Sequence, residues 1–179
     1  MSDIHIRPGV EDDIPVILAL IHGLAEYEKA RPEEVPVNQE VLRESLFGAR
    51  AAAEVLLAEV DGETAGFALF FHNFSTWQGR RGLYLEDLFV RPAMRGRGIG
   101  KALLGELARI ATERGCARME WAVLDWNTPA IEFYRSLGAV PMDGWTIFRL
   151  TAPAIARLAE LVGQTIVFRG LPTSLDHGH

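Results

Sequence analysis

A chain of 179 residues, 49% hydrophobic and 23% charged, is long enough for one domain with a proper core and has an ordinary soluble globular composition. No apolar run approaches the length of a membrane span, and the acidic start Met1-Ser2-Asp3 is no signal peptide, so a cytoplasmic protein without membrane association is expected. The net charge of −6 argues against a nucleic-acid partner and is compatible with a cationic one; the single cysteine, Cys116, excludes an internal disulfide or a zinc–cysteine cluster, and the five histidines form no metal spacing.

Ile4-His5-Ile6-Arg7 alternates and predicts a short strand ending at Pro8. Asp12-Asp13 precede a helical pattern of Ile14, Ile17, Leu18, Ile21 and Leu24, with acidic residues where the helix dipole is positive. Pro32 and Pro36 mark a loop, and Asn38 is placed to cap a second helix to about Phe47. Glu54–Val60 and Thr64–His72 read as strands joined by the turn pair Asp61-Gly62. Asn73–Gly82 is polar and glycine-containing and predicts a long loop, followed by a strand over Leu83–Val90. A helix from Ile99 to Arg114, a strand over Ala117–Val123 and a helix from Thr128 to Leu137 follow. A last strand over Trp145–Leu150 and a terminal helix over Pro153–Leu161 complete the pattern. Hairpins in the middle and helical crossovers later predict an α/β (α+β) fold: one mixed sheet of six to seven strands flanked by helices, in the order β-α-α-β-β-β-α-β-α-β. The expected division is a main domain over residues 1–150 and a C-terminal helix and tail over 151–179, packed on the same domain or on a dimer partner.

The most informative stretch runs from Leu88-Phe89-Val90 through Pro92 to Arg95-Gly96-Arg97-Gly98-Ile99-Gly100-Lys101. An apolar strand enters a glycine-rich turn that opens a helix. Helix N-termini expose unpaired N–H groups, and glycines let the backbone approach an anion without a Cβ in the way. Arg95, Arg97 and Lys101 add positive charge, so the turn is a candidate pyrophosphate cradle. The glycines at 96, 98 and 100 do not give the G-x-G-x-x-G of a dinucleotide fold, and Ala102 after Gly100-Lys101 breaks a P-loop.

Arg95-Gly96-Arg97-Gly98-Ile99-Gly100 matches [RQ]-x-x-G-x-[GA], and Asn127-Thr128-Pro129-Ala130-Ile131-Glu132-Phe133-Tyr134 with Gly138 matches N-x-x-A-x-x-F-Y-x-x-x-G. On these two motifs the chain resembles the GCN5-related N-acetyltransferase (GNAT) superfamily. Leu24-Ala25-Glu26-Tyr27-Glu28, Trp77-Gln78-Gly79, Tyr84-Leu85-Glu86-Asp87-Leu88 and Asp125-Trp126-Asn127 are similar to the diamine (spermidine/spermine) N-acetyltransferases within it. One departure stands out: Ser75 occupies a position that is acidic in polyamine-specific members, which widens the choice of amine to thialysine-like compounds.

The resemblance implies acetyl-CoA as cosubstrate, direct attack by a small-molecule primary amine, and a homodimer. It implies a cofactor site of Leu88, Phe89, Val90, Arg95–Lys101, Asn127 and Tyr134. An aliphatic amine, with a pKa of about 10.4, arrives as an ammonium and must lose a proton. Glu86 and Asp87 sit on the strand leading into the cradle, and adjacent strand residues face opposite sides unless a bulge intervenes. The resemblance implies that both touch the amine and that Glu86 is the base. Tyr134, whose phenol titrates near 10, has the family's general-acid position. Tyr27, Glu28 and Trp77 are candidates for the amine pocket, a tryptophan face being attractive to a cation. A peptide or protein amine as acceptor, and a non-catalytic acyl-CoA-binding module, are the rival readings.

Overall fold

A computed structural model describes residues 3–163. The chain forms two compact units, Met1–Thr128 and Pro129–His179. The first carries β1 (Ile4–Pro8), α1 (Ile14–Tyr27), α2 (Gln39–Phe47), β2 (Glu54–Val60), β3 (Glu63–Ser75), β4 (Arg80–Val90), α3 (Ile99–Glu113) and β5 (Met119–Trp121). Helix α4 (Thr128–Ser136) begins at the boundary, and α5 (Ala152–Gly163) belongs to the second unit.

The sheet follows chain order, β1-β2-β3-β4-β5, antiparallel throughout except for the parallel β4–β5 pair. It is the expected mixed sheet of an α/β fold, with five strands among the described residues instead of six to seven. Trp145–Leu150 is the missing strand. Its apolar residues promised one, but Phe148 is 92% exposed and Trp145, Ile147 and Leu150 are exposed too. Apolar content makes a strand only where a neighbouring edge takes up its N–H and C=O groups.

The expected loop over Asn73–Gly82 is also corrected. β3 and β4 continue pairing to Ser75↔Arg80, which leaves Thr76–Gly79 as the turn. Asn73 donates from Nδ2 to Glu120 Oε2 at 3.0 Å, so a polar residue is absorbed into the sheet. The Asp61-Gly62 turn is as expected: both residues have positive φ, 53° and 82°, the geometry of a two-residue hairpin turn matched to strand twist.

The two sheet faces are covered by different helices. Ile14, Ile17 and Leu20 of α1 and Leu42 and Leu46 of α2 pack on Val55, Leu57, Phe67 and Phe89. On α3, Ile99, Leu103, Leu107 and Ile110 recur at helical spacing, and that stripe is buried where the helix crosses β1 to β4. Each fully buried Leu, Ile or Phe contributes about 1.5–3 kcal/mol, so these stripes fix the helix positions.

The start of α1 is tied down by charge. Arg7 grips Asp13 with both terminal nitrogens, at 2.6 and 2.8 Å, and its Nε donates to Glu59 at 2.8 Å. The Val10 N–H also donates to Asp13, at 2.8 Å. The Arg7 guanidinium therefore holds the Asp13 carboxyl below its ordinary range. Asp13→Ala should lower stability by about 2 kcal/mol, the worth of hydrogen bonds to a charged group. For the wild type, this contribution is complete above the unfolded pKa of about 4 and is lost as pH falls through the lower folded value. Urea unfolding at pH 7 and pH 3 checks both: the variant and wild type should differ at pH 7, and the difference should narrow at pH 3.

Candidate active site

β4 decides the geometry of the site. Its parallel partner β5 pairs only Leu83, Tyr84 and Leu85 with Met119, Glu120 and Trp121. Beyond Leu85 the β5-side edge of β4 has no strand beside it among the described residues. The expected strand over Ala117–Val123 is thus cut short, which leaves backbone groups of residues 86–90 available along that edge.

On the other edge β4 pairs with β3, and there it contains a bulge. Asp87 lies opposite Leu69 and Leu85 opposite Phe70, so Glu86 is an extra residue with no partner. The bulge shifts the alternation by one place. Leu85 and Leu88 share a face with Ala68 and Phe70, while Asp87 joins Phe89, Leu69 and Phe67 on the face covered by α1 and α2. Glu86 is exposed and Asp87 half-buried.

Three carboxylates meet there. Burial pushes the Asp87 carboxyl up to about 6, and the charges of Glu86 and of Glu28 at the end of α1 push in the same direction. Partial burial raises Glu28 as well. A carboxyl near 6 is a far better proton acceptor at neutral pH than one near 4. The adjacent acidic pair was legible in the sequence; which member would be buried was not, because the bulge decides it.

The glycine-rich turn follows β4 directly. Gly96 and Gly98 have φ of 76° and 83°, and nothing lies within 4 Å of where a Cβ would stand on either. Ala102 is the first residue of the α3 ladder to donate, to Gly98 O at 3.0 Å, so the N–H groups of residues 99–101 form the free end of the helix. Open space, backbone donors and Lys101 suit a pyrophosphate, and the residues present fit the cosubstrate on that account. Arg97 contacts Met94 Sδ at 3.1 Å and Asp61 at 3.5 Å. Arg95 turns elsewhere: its Nε donates to Val90 O at 3.0 Å, and its guanidinium lies 4.3 Å from the Tyr27 ring centre and 5.7 Å from that of Phe89.

Tyr27 gathers several predicted residues. Its hydroxyl donates to Asn127 Oδ1 at 3.1 Å, and its ring lies 6.0 Å from that of Trp126. Asn127 is 8% exposed. Trp126 also receives Lys29 Nζ at 5.5 Å from its ring centre. Thus Tyr27, Glu28, Glu86, Asp87, Phe89, Val90, Arg95 and Asn127 gather around the end of β4. Trp77 does not join them. It lies at the tip of the β3–β4 hairpin, 90% exposed, roughly 20 Å along the strand from Asp87 at about 3.3 Å per residue. Ser75 is buried and accepts the Gln78 N–H at 3.3 Å, so it braces the hairpin and offers no carboxylate. Tyr134 is carried by α4 in the second unit, half-buried, with its ring 5.4 Å from that of Phe133.

A parallel strand released into a glycine-rich helix start, with a raised carboxyl beside it, defines an acyl-CoA-binding N-acyltransferase. The comparisons with known proteins agree. The sequence profile of the acetyltransferase (GNAT) family matches residues 22–139. The thialysine N-epsilon-acetyltransferase of Bos taurus is 39% identical over 170 residues, covering 89% of this chain and 99% of that one. Spermidine/spermine N(1)-acetyltransferase-like protein 1 of Homo sapiens is 33% identical over 169 residues, 89% of this chain and 24% of that longer protein. Among solved structures, an integron cassette protein from V. cholerae aligns with a TM-score of 0.74 at 25% identity, over 88% of this chain and 98% of that one. The chain belongs to the GNAT acetyltransferase family. It is an N-acetyltransferase, and acetyl-CoA is its acetyl donor.

The cradle makes a direct prediction. Gly98→Ala forces a side chain into a left-handed conformation, at about 1–2 kcal/mol, and places a methyl group where the anion approaches. Calorimetric titration with CoA should show affinity reduced at least tenfold. Gly105→Ala, in the interior of α3 with open space around it, should leave affinity unchanged and raise stability by about 0.5–1 kcal/mol.

Proposed function

We propose that this enzyme acetylates the primary amine of a small, cationic, amino-acid-like or diamine substrate, with Asp87 as the proton acceptor. The observation that carries the reading is the half-buried Asp87 carboxyl, raised to about 6 beside Glu86 and Glu28. Together these three carboxylates attract an ammonium. Asp87, ionised at pH 7 yet basic enough, takes its proton and frees the nitrogen lone pair. The names of the bovine and human relatives, a thialysine and a spermidine/spermine-type acetyltransferase, support the substrate class.

Acetyl-CoA, when bound, supplies the acetyl thioester. The N–H groups at the start of α3, with Lys101, would hold its pyrophosphate, and residues 88–90 its pantetheine arm through the edge left open by β5. Backbone N–H groups on that edge stabilise the charge that develops on the carbonyl oxygen. For Tyr134 the support is its place in the Asn127–Tyr134 motif, from which a phenol O–H would return a proton to the departing sulfur. Glu86 as base, acting through water, is the second reading; its exposed place at the bulge favours solvent contact. Residues 1–150 would form the catalytic domain of a cytoplasmic homodimer. Exposed Ile155, Leu158 and Leu161 on α5 support the dimer, and no helix among the described residues is long and apolar enough to cross a membrane.

Acetyl transfer assayed over thialysine, lysine, ornithine, diamines and polyamines tests the class. The rate with the preferred amine should rise with pH through about 6 as Asp87 ionises. Asp87→Asn should remove that limb and lower kcat/KM by 10²–10⁴-fold, while Glu86→Gln should keep the limb and act mainly on the amine KM. Linkage gives an independent check: the raised Asp87 pKa means ionised Asp87 costs stability as pH climbs from about 4 to 6. Asp87→Asn should therefore raise Tm at pH 7.5. No turnover with any amine, or an Asp87→Asn enzyme with the wild-type pH profile, would sink the reading.

A further inference from the structure

Arg95 is the first residue of the acyl-CoA motif, and its side chain contacts the acceptor side of the site. The Nε donates to the Val90 carbonyl at 3.0 Å, and the guanidinium carbon lies over the Tyr27 ring, 4.3 Å from its centre, and 5.7 Å from that of Phe89. Tyr27 is the last residue of α1, and Glu28 follows it immediately. The same helix end sits close on β4 one turn earlier, where a Cβ added to Gly23 would lie 3.0 Å from the Phe89 ring. Tyr27 is held on its other side by Asn127 and Trp126.

We propose that Arg95 is a positioning residue for the amine site: clamped on Tyr27 and bonded to Val90, it fixes the C-terminal end of α1, and hence Glu28, against the end of β4. This rests on the reading of Glu28 as one of the carboxylates that receive the ammonium. A planar guanidinium can stack on a ring and donate in its own plane at once, which a lysine ammonium cannot do. Arginine at this position thus serves amine capture, and the anion is left to the backbone N–H groups and Lys101.

The test is a double-mutant cycle of Arg95→Lys and Tyr27→Leu in the full chain, with three readouts: amine KM, CoA affinity by calorimetry, and urea unfolding. Arg95→Lys should raise the amine KM about two- to five-fold, the fold-change of an exposed cation–π contact, with CoA affinity within twofold of wild type. Tyr27→Leu should raise the amine KM, and adding Arg95→Lys to it should cause little further change in KM or unfolding midpoint. Arg95→Gln, planar but uncharged, should give the same pattern as Arg95→Lys. A tenfold loss of CoA affinity with the amine KM unchanged, or strictly additive effects in the cycle, overturns the proposal. Should the wild type acetylate no amine tested, the small-amine reading fails, and the unfolding cycle still decides whether the Arg95–Tyr27 clamp exists.

Discussion

The separation of β4 from β5 after Leu85 is the constraint on which the site depends. A sheet normally satisfies both edges of an interior strand, and a strand left open within the fold must put its N–H and C=O groups to some other use. Here residues 86–90 have no strand beside them on the β5 side among the described residues, while Asp87–Val90 remain paired to β3. The bulge at Glu86 falls at the point of separation. It turns Asp87 to the α1–α2 face, among Phe67, Leu69 and Phe89, where burial is the largest of the causes that raise its pKa. The open edge and the bulge together underlie the proposed reaction: the first would offer backbone groups to the acyl donor's arm, the second a carboxyl adjusted for proton transfer.

Electrostatics divides the site along β4. On one side are carboxylates, Glu28, Glu86 and Asp87; on the other are the helix start of α3 and Lys101. Arg95 spans the boundary in an unexpected direction, with its charge on an aromatic ring beside the acidic cluster. Three carboxylates close together repel one another, and part of that cost appears in the raised Asp87. In the proposed reaction an incoming ammonium would relieve the repulsion, so the same charges that weaken the fold locally would strengthen capture of a cation.

Much of this was legible in the sequence where local chemistry alone decides the outcome. Asp61-Gly62 demanded a tight hairpin, Asn38 capped α2 by accepting the Val41 N–H, and the Gly96–Gly100 spacing announced a glycine-rich helix start. What was not legible depends on partners far away in the chain. Nothing in Leu85-Glu86-Asp87 marks a bulge, since neither Gly nor Pro is present and the register is set by Leu69 and Phe70 on β3. Ala122 and Val123 look like strand residues, yet β5 stops at Trp121. Trp145–Leu150 has the apolar content of a strand without forming one. Motif spacing located Arg95 but could not show whether its guanidinium would meet an anion or a tyrosine.

If the bulge and the partial burial of Asp87 are what make the enzyme a base catalyst, the carboxyl must titrate abnormally before any substrate binds. Carbon-13 NMR of the Asp87 carboxyl, assigned by comparison with Asp87→Asn and followed from pH 3 to pH 8, measures this in the free enzyme. The account predicts a midpoint near 6, moving downward in Glu86→Gln as one repelling charge is removed. A midpoint near 4, the ordinary value for a solvated aspartate, would contradict it.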